Sequence, residues 1–200
     1  MGGVDKGLQL FNGVPLVQHA VQRLQAQVGG APGLIAANAN RNVPRYGALG
    51  IPVWPDSTDE FAGPLAGFQT ALSHIAAQAT GPHRFKYLLT TPCDSPRFPL
   101  DLLQRLYDAL HTQHADIAMV VAPETAADGL NVLRAQPVFS LVKTSLQDSL
   151  QTYLANGGHK IDTWFDQHPV ARVAFNLPQD DAHGFFNANT LEELHALERL

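Results

Sequence analysis

A single cysteine, Cys93, stands among the 200 residues, which excludes an internal disulfide framework and any zinc site built on several thiolates, and suits a reducing compartment. Long apolar runs are missing too. Nothing approaches the roughly 20 residues that cross a bilayer, and the opening Met1-Gly2-Gly3-Val4-Asp5-Lys6 lacks the apolar block of a secretory signal. The chain is therefore expected to be cytoplasmic, with no membrane partner. Charge is sparse, at 16% of residues, and the 13 Lys and Arg are dispersed singly against a formal net charge of -5. No basic stripe is left to neutralise a nucleic-acid backbone. The nine histidines form neither His-x-His nor His-Glu-x-x-His, so zinc is not expected. Internal repeats, heptads, low-complexity tracts and linkers are absent as well. What is there is a chain with 45% hydrophobic residues, its 16 Gly and 14 Pro spread along its length. That is enough to bury the core of one domain over residues 1–200.

Periodicity gives the order of elements. Leu16, Val17, Ala20, Val21, Leu24 and Val28 trace a helical stripe over 14–28, after the turn residues Asn12-Gly13. Short apolar runs at 33–38 and 51–56 read as buried strands, each ending in a polar tip. Leu65, Phe68, Leu72, Ile75 and Ala79 mark a second helix opened by Pro64. Residues 85–91 form a third strand, closed by Pro92-Cys93-Asp94-Ser95-Pro96, and Leu102, Leu103, Leu106 and Leu110 mark the next helix. This alternation is the pattern of an α/β fold, a mostly parallel sheet with helices on both faces. Further strands are expected at 116–122 and 133–142, the second an edge or a bulge because it passes through Pro137. A helix over 144–155, a β-rich run at 170–176, and a last helix opened by the capping box Thr190-Leu191-Glu192-Glu193 complete the chain.

In an open parallel sheet, ligands bind beyond the carboxyl ends of the strands, and Asn38, Asp56 and Asp94 lie at those ends, where they should share one edge. Each taken singly is equally a good turn or N-cap residue. Asp94, flanked by Pro92 and Pro96, is expected at the surface of a strand tip, held rigidly as a hard oxygen ligand for Mg2+ should be. Cys93 reads as a small core residue, since no His lies near it in sequence. His111, His114, Tyr46, Arg41 and Arg97 read as ordinary surface residues. The Gly-rich opening carries Lys6, and such a loop can offer backbone N–H groups and an ammonium to phosphates.

Six motifs in order, Gly2-Gly3-Val4-Asp5-Lys6-Gly7-Leu8, Asn12-Gly13-Val14-Pro15-Leu16, Asn38-Ala39-Asn40-Arg41, Gly63-Pro64-Leu65-Ala66-Gly67, Pro92-Cys93-Asp94-Ser95-Pro96 and Asn187-Ala188-Asn189-Thr190, closely resemble the molybdenum cofactor guanylyltransferases. The resemblance implies the nucleotidyltransferase version of a Rossmann-like fold. It also implies transfer of GMP from GTP to Mo-molybdopterin, giving the guanine dinucleotide cofactor and pyrophosphate with Mg2+ as cofactor. Carried over by residue, it implies a catalytic pair Lys6 and Asp94, with Asp94 the metal ligand. Nucleotide contacts would come from Lys6, Asn38, Asp56, Gly63 and Asp94, with Gly63 and Gly67 admitting the base at a helix N-terminus. Substrate contacts would come from Asn187 and Asn189, whose other reading is as Asx-turn and N-cap residues. Molybdoenzyme apoproteins or their chaperones are implied as further partners. One departure stands out: the family pattern has a strand, a Leu-Ala-Gly-Gly loop and an Arg immediately before its Met-Gly-Gly segment. Relative to that pattern the chain is expected to be N-terminally incomplete, with the edges of neighbouring strands exposed. Three alternatives stay open: a cytidylyltransferase, a sugar-nucleotide transferase of the same fold, or a non-catalytic molybdopterin-binding partner.

Overall fold

The computed structural model describes residues 5–56, 63–78, 85–125 and 131–199. Gly2, Gly3 and Val4 of the opening motif and Ala79 of the second expected helix lie outside the described residues. A single turn of 3-10 helix, Lys6–Leu8, leads into a two-residue hairpin, β1 (Leu10–Phe11) with β2 (Val14–Pro15). Asn12 and Gly13 make its turn, both with positive φ, 50° and 77°, as a tight hairpin turn requires. The expected helix at 14–28 is therefore shorter: Val14 and Pro15 belong to the hairpin, and α1 runs Leu16–Gln25.

Then follow β3 (Ala37–Asn38), α2 (Val43–Gly47), β4 (Val53–Trp54), α3 (Pro64–Ala77), β5 (Tyr87–Thr90) and α4 (Leu102–Thr112). The second half holds β6 (Ile117–Thr125), β7 (Asn131–Lys143), α5 (Gln147–Ala155), α6 (Ile161–Phe165), β8 (Val170–Ala174) and α7 (Leu191–Glu198). At the start of α7 the capping box forms as expected: Thr190 Oγ1 accepts from the Glu193 N–H at 3.1 Å, and Glu193 Oε2 accepts from the Thr190 N–H at 3.2 Å.

The α/β class holds, with mixed sheets. β3 and β4 form a parallel pair, and a four-stranded sheet has the order β5-β7-β6-β8. β6 and β8 run parallel, while β7 runs antiparallel to both β5 and β6. Pro137 sits in a bulge of β7: Met119 faces Ser140 but Val120 faces Gln136, so residues 137–139 loop out of the ladder to β6. Among the described residues β5 pairs with residues 140–143 of β7, so no described neighbour asks Pro137 for an N–H. Ser140 closes the bulge by donating its hydroxyl to the Pro137 carbonyl at 2.6 Å.

Alternation along β6 divides the core. Ala118, Val120 and Ala122 pack with Leu102, Leu106 and Leu110 of α4 on one face, while Ile117 and Met119 pack with α3, α5 and α6 around Phe68, Leu150 and Trp164 on the other. A smaller cluster of Leu8, Val17, Ala37, Ala39 and Tyr46 supports β3. Among the described residues no hydrogen bonds run between β3 and β5. The two edges instead flank an apolar slot of about 540 Å3, lined by Leu34, Ala37, Phe68, Phe85, Leu88 and Leu89 among others. All four residues of β5 are only half-buried. The strands expected at 33–38 and 51–56 pair over two residues each, Ala37 with Val53 and Asn38 with Trp54. No helix among the described residues is long and apolar enough to cross a membrane.

Candidate active site

Three segments meet above the slot. The first is the turn at Lys6. Leu8 N–H donates to the Asp5 carbonyl at 3.2 Å and Gln9 N–H to that of Lys6 at 3.0 Å. Gly7 is needed there for space: a Cβ would collide with the Tyr46 hydroxyl and lie 3.3 Å from Cys93 Sγ. The second is the Pro-bracketed turn after β5, which presents Asp94. Third comes the stretch before α7, tied to that turn by Ala188 N–H donating to the Asp94 carbonyl at 3.2 Å.

Together these place the Lys6 ammonium 3.2 Å from Asp94 Oδ2 and 2.8 Å from Asn189 Oδ1. Residues 183 apart in sequence thus meet at one cation. Asp94 is not at the surface of a strand tip as expected but 7% exposed, because the turn folds inward under Lys6 and Ala188. Its second oxygen, Oδ1, makes no hydrogen bond with the described residues. Ser95 beside it is buried with its hydroxyl unpartnered among them. Asn187 lends its carbonyl to Asn189 Nδ2 at 3.3 Å. Neither asparagine caps α7, since that place belongs to Thr190.

Asn38 and Asp56 form a second cluster. Asn38 Nδ2 donates to Asp56 Oδ1 and to the Trp54 carbonyl, both at 2.8 Å. Asn40 completes it, donating to Asp56 Oδ2 at 2.6 Å and accepting from the Asp56 N–H at 2.7 Å. Asn40 was present in the motif but not singled out; its place two residues beyond Asn38, on the same side of an extended chain, was the available signal. Gly63, with φ 109°, precedes Pro64 at the N-terminus of α3. Gly67 in its first turns faces Asn38, whose Oδ1 a Cβ would approach to 3.0 Å. The Trp54 ring stacks on His74 of α3, centroids 4.5 Å apart and planes within 8°.

Asp5 accepts from Tyr46 and Asn42, which follow β3 in the chain, while its neighbour Lys6 reaches Asp94, which follows β5. Tyr46 is thus no surface residue: it is 6% exposed. Cys93, expected in the core, is only half-buried: it packs against the cluster of Leu8, Val17 and Tyr46 and lines the slot. Burial, with the charges of Asp94 and Asp5, pushes its thiol up to about 12, leaving little thiolate to act as nucleophile. His111 lies on α4 against Tyr87 and Tyr107, and Arg97 pairs with Asp181 at 2.9 Å.

Among the described residues no group of three or more His, Cys, Asp and Glu gathers as a metal cage. One buried carboxylate with a spare oxygen fits a hard cation that takes its remaining ligands from phosphates and water. An ammonium, a carboxylate and amides around an open rim can hold a phosphate chain and stabilise charge moving along it.

A family model described as the MobA-like NTP transferase domain matches residues 1–173. The chain is 52% identical over 198 residues to a molybdenum cofactor guanylyltransferase of Albidiferax ferrireducens, covering 99% of this chain and 89% of that protein. It is 51% identical over 201 residues to one of Acidovorax ebreus, covering 100% and 90%. Its fold resembles molybdopterin-guanine dinucleotide biosynthesis protein A from Archaeoglobus fulgidus, with a TM-score of 0.71, 16% identity, and coverage of 98% of this chain and 90% of that one. The 4-diphosphocytidyl-2C-methyl-D-erythritol synthase from Anaerococcus prevotii shares it at a TM-score of 0.69 and 12% identity, over 98% and 91%.

Proposed function

The chain belongs to the MobA-like NTP transferases, and from that premise we propose how its rim works: it is a nucleotidyltransferase, a molybdenum cofactor guanylyltransferase that moves GMP from GTP to Mo-molybdopterin. A phosphate oxygen of the molybdopterin attacks the α-phosphorus of GTP. The new P–O bond forms as the bond from the α-phosphorus to the bridging oxygen breaks, and pyrophosphate leaves with the electron pair. An incoming phosphate is already anionic, so the step needs no strong protein base, and charge control decides its rate.

Lys6 supplies that control. Its ammonium, held between Asp94 and Asn189, is aimed at the rim and stabilises negative charge growing on the phosphates. Asp94 would hold a divalent cation such as Mg2+, which when bound neutralises phosphate oxygens. Asn38, Asn40 and Asp56, with Gly63 at the N-terminus of α3, receive the nucleotide, and Asn187 and Asn189 face the acceptor. The observation that carries this reading is the single cation gripped by a buried carboxylate and the Asn189 amide from the far end of the chain.

Pyrophosphate release from Mg-GTP and Mo-molybdopterin tests it. Lys6→Ala and Asp94→Asn should each lower the rate by about 100-fold or more. Retained activity in both folded variants would remove this cluster from the reaction.

A further inference from the structure

Lys6 has a carboxylate as its chain neighbour, and that is a hazard for a cation meant to meet phosphate. A free Asp5 side chain would compete for the ammonium and draw it off the rim. The fold counters this by anchoring the Asp5 carboxylate at both oxygens: Tyr46 Oη donates to Oδ1 at 2.6 Å and Asn42 Nδ2 donates to Oδ2 at 3.0 Å. Asn42 sits in the left-handed region, φ 52° and ψ 26°, immediately before α2, a conformation asparagine tolerates well. Tyr46 is packed in the cluster of Leu8, Val17, Ala37 and Ala39, so its hydroxyl is a fixed point rather than a mobile donor. The chain passes directly over it at Gly7. Among the described residues the ion pair of Lys6 is with Asp94 alone. Burial above all, and then the bond to Asp5, holds the Tyr46 hydroxyl well above the usual tyrosine range, so it remains a donor.

We propose that Tyr46, assisted by Asn42, is a positioning residue that clamps the Asp5 carboxylate and thereby presents the Lys6 ammonium to the phosphates. The inference rests on the assignment of Lys6 to the transfer step. A clamp of this kind acts on the rate of the chemical step more than on substrate affinity, because small displacements of a charge at the reacting centre are costly there.

The test is a double-mutant cycle on GMP transfer joined to a direct observation of Lys6. Tyr46→Phe keeps the buried ring and removes only the hydroxyl; it should lower kcat by about 10-fold with KM for GTP changed less. In the Lys6→Ala background the same substitution should change the rate by less than about twofold, since the residue acts through Lys6. Asn42→Gly, which suits the left-handed backbone, should act in the same direction and more weakly. The four lysines of the chain allow the NMR resonance of the Lys6 ε-methylene to be assigned by its loss in Lys6→Ala, and that resonance should move in Tyr46→Phe. Additive losses in the cycle, or an unchanged kcat with an unmoved resonance, would overturn the clamp. Full activity in Lys6→Ala would instead overturn the role of Lys6 in transfer. The resonance alone then decides whether Tyr46 orders Lys6, upholding the clamp if it moves and rejecting it if it stays.

Discussion

The sheet β5-β7-β6-β8 and the pair β3-β4 are both backed by helices, but they are built to different standards. The larger sheet has an apolar cluster on each face, and Leu106, Leu110, Ile117 and Val142 within those clusters are essentially inaccessible. The smaller pair rests on a single small cluster, its residues Val53 and Trp54 stay half-buried, and its free edge looks across an apolar slot at the free edge of β5. Yet the site draws on both halves: Asn38, Asn40 and Asp56 from the weaker one, Asp94 from the stronger, and Asp5-Lys6 strapped across the seam.

The largest effect expected from this contrast is on stability. Leu106→Ala should cost about 2–5 kcal/mol, the range for emptying a sealed core site. Val53→Ala, at a half-buried position that loses two methyl groups, should cost less than about 1.5 kcal/mol. Urea or guanidinium unfolding of the two variants measures the difference, and equal costs would mean that the two halves are equally well packed.

Next in size is a difference in local opening. The amides of Ala118 and Met119 should exchange only through unfolding of the whole larger sheet. Those of Ala37 and Ala39, which bond the Pro52 and Trp54 carbonyls at 2.9 and 3.3 Å, should exchange through opening of β3-β4 alone. Mg-GTP at 100 times its Kd should slow the second set by about 100-fold if it binds only the closed form. Uniform exchange across both sheets would erase the distinction.

The same contrast explains what could be read from the chain. Helices α1, α3 and α4 and the inner strands β6 and β7 were legible because their apolar residues pack into the clusters on the two faces of the larger sheet. The runs at 33–38 and 51–56 carry the composition of buried strands, but pairing is a property of neighbours that composition does not show, and only two residues of each join a ladder. Asp94 was legible as a candidate from its prolines, though not its burial, which depends on Lys6 and Ala188 folding over it from distant parts of the sequence. Tyr46 was illegible because its partner Asp5 lies 41 residues away and a tyrosine in a short polar segment has no periodicity to betray its packing.

The smallest expected effect asks whether the closure of the larger half extends to its outer end, where α5 meets α6. There the buried Trp164 indole N–H donates to Ser149 Oγ at 3.3 Å, and Ser149 lies 2.9 Å from His168 Nε2, an arrangement in which a neutral imidazole accepts the serine proton. Burial lowers the pKa of His168 from its ordinary value of 6.5, more than the charge of Asp116 raises it. The folded protein therefore binds this proton less readily than the unfolded chain does. Stability from His168 is complete above its ordinary pKa and falls as pH drops through 6.5 toward the lower folded value, the unfolded chain taking up the proton first. Because His168 is only half-buried the loss should be small, a shallow decline in Tm between about pH 7.5 and about pH 5.5. His168→Gln should flatten that part of the profile while leaving the rest unchanged. If wild type and variant decline in parallel, the slope belongs to other groups, and the closed packing of the larger half stops short of this end.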